Sequence, residues 1–224
     1  MIFISFSAIG QEKKLVWDYP VKPGLEEWKK LNSPYEIYQA LQIPDKILKE
    51  IDTESLVQIC LNYPATTVFF IRNTPQECFE AFYSQFNGIQ ELMNRKDAGK
   101  FLLSKYAQMS LADFNPLWIL ETQGSFVNKF YYMELFLVQP QIQELLNANE
   151  QELLLKETIK KFELKCERSD LFGGNSLEVT TWVMTKLLYT KKKLLLDEQS
   201  LSTGQLKDID MVSIYQQAKI DVHE

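Results

Sequence analysis

The stretch Phe126-Val127-Asn128-Lys129-Phe130-Tyr131-Tyr132-Met133-Glu134-Leu135-Phe136-Leu137-Val138 decides the fold. Phe126, Phe130, Met133 and Leu137 fall on one face of a helix, and Val127, Tyr131, Leu135 and Val138 fall on another. A helix that is apolar on two faces has to be covered from both sides, which makes it central to an all-α body. Gly124 reads as its opening, Ser125 as its first residue and Pro140 as its stop. The stretch is shorter than the roughly 20 residues a membrane span needs, and Asn128, Lys129 and Glu134 interrupt it. No transmembrane segment is expected.

Outward from this helix, start signals recur toward the N-terminus. Ser33-Pro34-Tyr35-Glu36 and Thr74-Pro75-Gln76-Glu77 each combine a capping box with proline at the first helical position. Thr53 and Asp97 mark two further starts, giving spacings of 20, 21 and 23 residues along the series Ser33, Thr53, Thr74, Asp97. Two such steps span about 42 residues, close to the period of armadillo and HEAT units. Ile37 and Leu41, then Leu56, Ile59, Cys60 and Tyr63, then Phe79, Phe82 and Phe86 recur at helical intervals between the markers. The architecture predicted is an irregular helical bundle or a short armadillo/HEAT-like stack of antiparallel helix pairs. The one β-like run, Thr66-Thr67-Val68-Phe69-Phe70-Ile71, reads as a helical turn or buried connector.

Toward the C-terminus, Asn149-Glu150-Gln151-Glu152 is expected to cap a long helix reaching Cys166. Asn175-Ser176-Leu177-Glu178, after Gly173-Gly174, caps another that runs through Trp182 to Tyr189. Beyond Lys193 the composition loosens into a loop, and a last helix is expected from Asp208 to Ala218. The chain thus divides into a signal-peptide remnant (1–10), an extended lead-in (11–24), a single all-α domain (25–193), and a loop with a weakly docked C-terminal helix (194–224).

The first ten residues are apolar and end in Ala8 and Gly10, as the second half of a secretory signal peptide does, with cleavage before Gln11. That predicts a periplasmic or secreted product; a buried terminal strand or helix in a cytoplasmic protein is the other reading. Lys191-Lys192-Lys193 is the one dense basic run in a chain of net charge −6, and it reads as the solvated C-terminal end of a helix. Nucleic acid is not expected as a partner.

The chain holds a single histidine, His223, next to the last residue and expected in a disordered tail. Without an imidazole in the body, Ser-His-Asp and Cys-His catalysis and most histidine-based metal sites are excluded. No phosphate-cradling GxGxxG or GK[ST] loop and no EF-hand spacing occurs, so no cofactor and no metal are implied. Cys60, Cys78 and Cys166 have no CxxC spacing. Carboxylate chemistry needs only two acids, and Glu134, inside the apolar helix, is the candidate catalytic acid, set against a structural role paired with a lysine. Trp28 and Tyr19 are the candidate binding residues; Trp118 and Trp182 are read as core.

Three segments also look alike to a known group: Tyr19-Pro20-Val21-Lys22-Pro23-Gly24 with Glu27-Trp28, Ile43-Pro44 leading to Thr53-Glu54-Ser55-Leu56-Val57, and Phe86-Asn87-Gly88-Ile89-Gln90-Glu91-Leu92 leading to Arg95-Lys96-Asp97-Ala98. Together they resemble a family of uncharacterised exported bacterial proteins with an all-helical body and no assigned activity. The resemblance implies fold and export and is silent on mechanism. The function expected is a non-enzymatic protein- or peptide-binding module of the bacterial cell envelope. The alternative is a histidine-independent, carboxylate-based hydrolase or lyase acting on an envelope glycan or peptide.

Overall fold

The computed structural model describes residues 17–65, 72–192, 198–206 and 211–223, and these hold thirteen helices and no strand. The apolar N-terminal stretch and the run Thr66–Ile71 lie outside the described residues. The protein is all-α among the residues described.

Four short helices come first: α1 (Glu26–Lys29), α2 (Pro34–Ala40), α3 (Asp45–Glu50) and α4 (Thr53–Leu61). Ser33 caps α2 and Thr74 caps α5 (Pro75–Gln85), each side-chain oxygen accepting from the backbone three residues on. The reciprocal bond goes one residue further back than a capping box requires: Glu36 accepts from Asn32 N and Glu77 from Asn73 N. Asp52, not Thr53, caps α4. Asp97 precedes α7 (Ala98–Gln108) without capping it, because its carboxylate accepts from the Thr53 hydroxyl at 2.8 Å.

That bond is one of several joining the α2–α4 segment to the segment of α5, α6 (Asn87–Asn94) and α7. Asn87 Nδ2 donates to Ile43 O at 2.8 Å and Asn87 Oδ1 accepts from Ile43 N at 3.0 Å. Arg95 donates to Ile51 O at 2.7 Å and to Leu48 O at 3.0 Å, so carbonyls at the C-terminal end of α3 are satisfied by a side chain of the next segment. Tyr63, Phe82 and Phe86 fill the space between, with ring centroids 4.7 to 5.8 Å apart. Aromatic pairs at such separations add about 0.5–1.5 kcal/mol each beyond their area.

The central helix, α8 (Leu120–Leu137), is longer than the sequence reading gives it. Gly124 lies inside it and does not open it. A Cβ at that position meets nothing within 4 Å, so the glycine faces solvent and costs about 1 kcal/mol of helix propensity that the packed residues after it outweigh. Every residue from Phe130 to Val138 is buried. Around α8 lie α4, α5, α7, the single-turn α9 (Pro140–Gln143) and α11 (Gly174–Thr190). The long α10 (Ala148–Glu167) packs on α7 and α11. Contacts of this reach differ from the nearest-neighbour pattern of a repeat stack.

Two cap predictions shift. Asn147, not Asn149, caps α10, in a full reciprocal pair with Glu150. Gly173 precedes α11 with no side-chain cap; Asn175 and Ser176 are already helical. Lys191, in the basic run, follows α11 and pairs with Asp221.

The C-terminal segment joins the same core. In α12 (Glu198–Thr203), Leu201 O accepts from the Trp182 indole at 2.9 Å. α13 (Met211–His223) buries Ile214 and Ala218 against α10 and α11, and Tyr215 stacks on Phe162 at 4.9 Å. The last helix therefore runs past the expected end at Ala218, and it takes in His223, which is helical and not part of a disordered tail; the expected start at Asp208 lies outside the described residues. Trp182 is core, as expected; Trp118 is partly buried in an aromatic row with Phe114 and Phe126.

Candidate functional site

A cleft of about 830 Å³ opens between the lead-in, the end of α4 and the first half of α8. The lead-in cannot be helical, because Pro20 and Pro23 lack backbone donors and Gly24 takes a φ of +92°. It is pinned instead by Tyr19, which is buried, donates its hydroxyl to Ile59 O at 2.8 Å and meets Tyr63 edge-on at 5.9 Å. Trp17 packs edge-on against Tyr19 at 4.8 Å and stays partly exposed. Asp18 and Lys22 pair across one turn of the lead-in, and that pairing holds the Asp18 carboxyl below the usual carboxylate range.

The floor is apolar and aromatic: Tyr19, Ile59, Leu61, Tyr63 and Tyr132. The rim is mixed, with Ser55, Gln58, Asn62, Ile119, Glu121, Ser125 and Lys129 among its residues. Just outside, Leu117 is 90% exposed and Leu120 84%, while Ile119 on the rim itself is 69% exposed. The polypeptide entering α8 therefore presents three large apolar side chains to solvent in four residues, beside an opening already walled by aromatic rings.

Of the residues singled out in the sequence, Tyr19 lines this cleft. Trp28 does not; it lies on α1, partly buried against the main core. Glu134 is elsewhere and fully enclosed, with Oε2 2.6 Å from Lys165 Nζ and 2.9 Å from Thr180 Oγ1, and Oε1 accepting from Tyr106 at 2.8 Å. Lys165, also fully buried, reaches Thr180 Oγ1 at 2.7 Å and Ser176 O at 3.2 Å, so its three protons have three acceptors. Burial draws the Lys165 amine down against the pull of Glu134, and burial beside the Glu134 anion pushes the Tyr106 hydroxyl up. Lys161 stands over the Tyr106 ring at 5.3 Å and leads to Glu157, extending the buried polar strip along α10. A carboxylate with no exposure and every neighbour committed does not reach a substrate. This closure onto lysine counts against Glu134 as a catalytic acid.

Comparison with family models, with curated proteins and with solved structures gives no match, so the function is argued from the geometry of the cleft and its charges. Among the described residues no three His, Cys, Asp or Glu side chains gather as metal ligands would, and no helix is long and apolar enough to cross a membrane.

The sequence reading missed the parts that close the cleft. No motif singles out Trp17 or Ile119, and Lys129 reads only as an interruption of an apolar helix. A lysine inside a two-faced apolar helix was the one local signal available for the site.

Proposed function

We propose that this protein is a non-enzymatic binding module that holds an apolar peptide segment in the cleft between the lead-in and α8. The observation that carries the reading is the exposed trio Leu117, Ile119 and Leu120 beside an aromatic-floored opening. A small molecule seated in the cleft leaves Leu117 and Leu120 in water; a peptide that continues over the rim covers them. Contiguous apolar surface next to a groove is the usual mark of a protein-interaction site. Tyr19, anchored at both ring and hydroxyl, gives the floor rigidity at little entropic cost to binding.

Selection of a random peptide library against the immobilised protein tests this. Ser125 is exposed on the rim, and Ser125→Trp places an indole across the opening without burdening the fold. Wild type is expected to enrich sequences with apolar residues, and the variant to lose that enrichment. No enrichment, or equal enrichment by both proteins, overturns the proposal.

The setting proposed is the bacterial cell envelope, supported by the signal-like composition of Met1–Gly10. The intact mass from fractionated cells checks it: a chain starting at Gln11 in the periplasmic fraction is expected, and a full-length cytoplasmic chain contradicts it.

A further inference from the structure

Lys129 projects from α8 three residues before Tyr132, is partly buried, and its ammonium has neither an ion pair nor a hydrogen bond among the described residues. Partial burial of an ammonium costs free energy that a lysine ordinarily recovers from an acid or a carbonyl. The charge that acts on it has the same sign: Lys105 of α7, likewise unpaired among the described residues. Burial and Lys105 together hold the Lys129 amine below the usual lysine range. Lys105 lines a second hollow of about 330 Å³, which shares Ser55 and Gln58 with the cleft. One unpaired cation therefore lines each of two adjoining hollows.

The acids nearby do not neutralise them. Asp18 is taken by Lys22, and Glu121 lies two turns back on α8. We propose that Lys129, backed by Lys105, receives the C-terminal carboxylate of the peptide bound in the cleft. This rests on the peptide-binding reading above and adds the class of peptide, an apolar one presented by its free end. A terminal carboxylate carries its charge directly beside the last side chain, which Ile59 and Tyr132 can accept. Along the rest of the opening, Glu121 disfavours further negative charge, so an acid-rich peptide is opposed where a single terminal anion is welcomed.

The test uses N-acetyl-leucine, N-acetyl-leucinamide, and N-acetyl-aspartic acid with its α-carboxyl amidated, each titrated into the intact protein. The readouts are the backbone amide resonances and the Lys129 Cε resonance, assigned by its loss in Lys129→Met. N-acetyl-leucine is expected to bind about tenfold or more tightly than its amide, the scale of a charge-assisted hydrogen bond, and to shift Lys129. Lys129→Met is expected to lose that preference while still binding the amide, and Lys129→Arg to keep it. Equal binding of acid and amide overturns the carboxylate site and leaves the apolar cleft standing. Binding of the aspartyl probe as tightly as N-acetyl-leucine overturns the terminal assignment in favour of a side-chain acid. If none of the probes moves a cleft resonance, both the site and the peptide reading fall.

Discussion

Lys129 and Glu134 are five residues apart on the same helix and meet opposite fates. Glu134 faces inward and is matched by Lys165, Tyr106 and Thr180; Lys129 faces the cleft and is matched by nothing described. Removing one member of a buried pair strands the other, so Glu134→Gln is expected to destabilise the fold by about 3–5 kcal/mol, measured by urea unfolding. Replacing Glu134 and Lys165 together by Leu and Met should recover most of that loss; a single variant as stable as wild type contradicts the pairing. For Lys129 the sign of the pH effect follows from its lowered pKa. The cation binds the carboxylate, so affinity is full below that pKa and declines as pH rises through it, beginning earlier than for an ordinary lysine near 10.4. Asp18, Lys22 and Glu121 line the same cleft, Glu54 and Lys105 the adjoining hollow, and of these Lys105 adds to the depression. The cysteines divide as clearly. Cys60 and Cys78 are buried and their thiols are pushed up by burial, whereas Cys166 is exposed. One thiol is expected to react with a disulfide reagent in native protein and three in denaturant; rapid labelling of Cys60 without unfolding contradicts the packing.

Elements were legible in the sequence where their signals were local. Ser33 and Thr74 announced α2 and α5 through an oxygen three residues before a free amide, and the paired apolar faces announced α8. Boundaries failed where a tertiary partner outbid a local one. Asp97 gives its carboxylate to Thr53 across 44 residues, and Gly124 is carried inside α8 because the packing of Phe130 to Val138 extends the helix through it. The turn after α12 depends on a contact no local reading contains. Gly204 has a φ of +73°, and a Cβ there falls 2.6 Å from the Trp182 ring. Gly204→Ala meets both the left-handed penalty and the overlap and is expected to cost about 1–3 kcal/mol, seen as a lowered Tm. A Tm unchanged within error shows that the α12 turn is not held against Trp182.

At the scale of the molecule, the cleft escaped the sequence because it is assembled from three segments up to about a hundred residues apart, none of which carries a periodic mark of a site. The fold class follows from periodicity; the site follows from which loops the packing brings together. The C-terminal helices belong to that packing. With Ile214 and Ala218 buried and Tyr215 both stacked on Phe162 and donating to Glu163 at 2.5 Å, α13 covers the apolar faces of α10 and α11. Ending the chain after Lys192 is expected to lower Tm and expose dye-binding apolar surface; a truncated protein with native stability makes the segment an appendage. The central claim, that the opening beside α8 is a peptide site, is tested most directly by mapping amide shifts on addition of a library-selected peptide. The account predicts perturbations concentrated in 17–24, 55–64 and 117–132 and abolished by Ser125→Trp; perturbations confined to the α10–α13 face, or surviving that variant, contradict it.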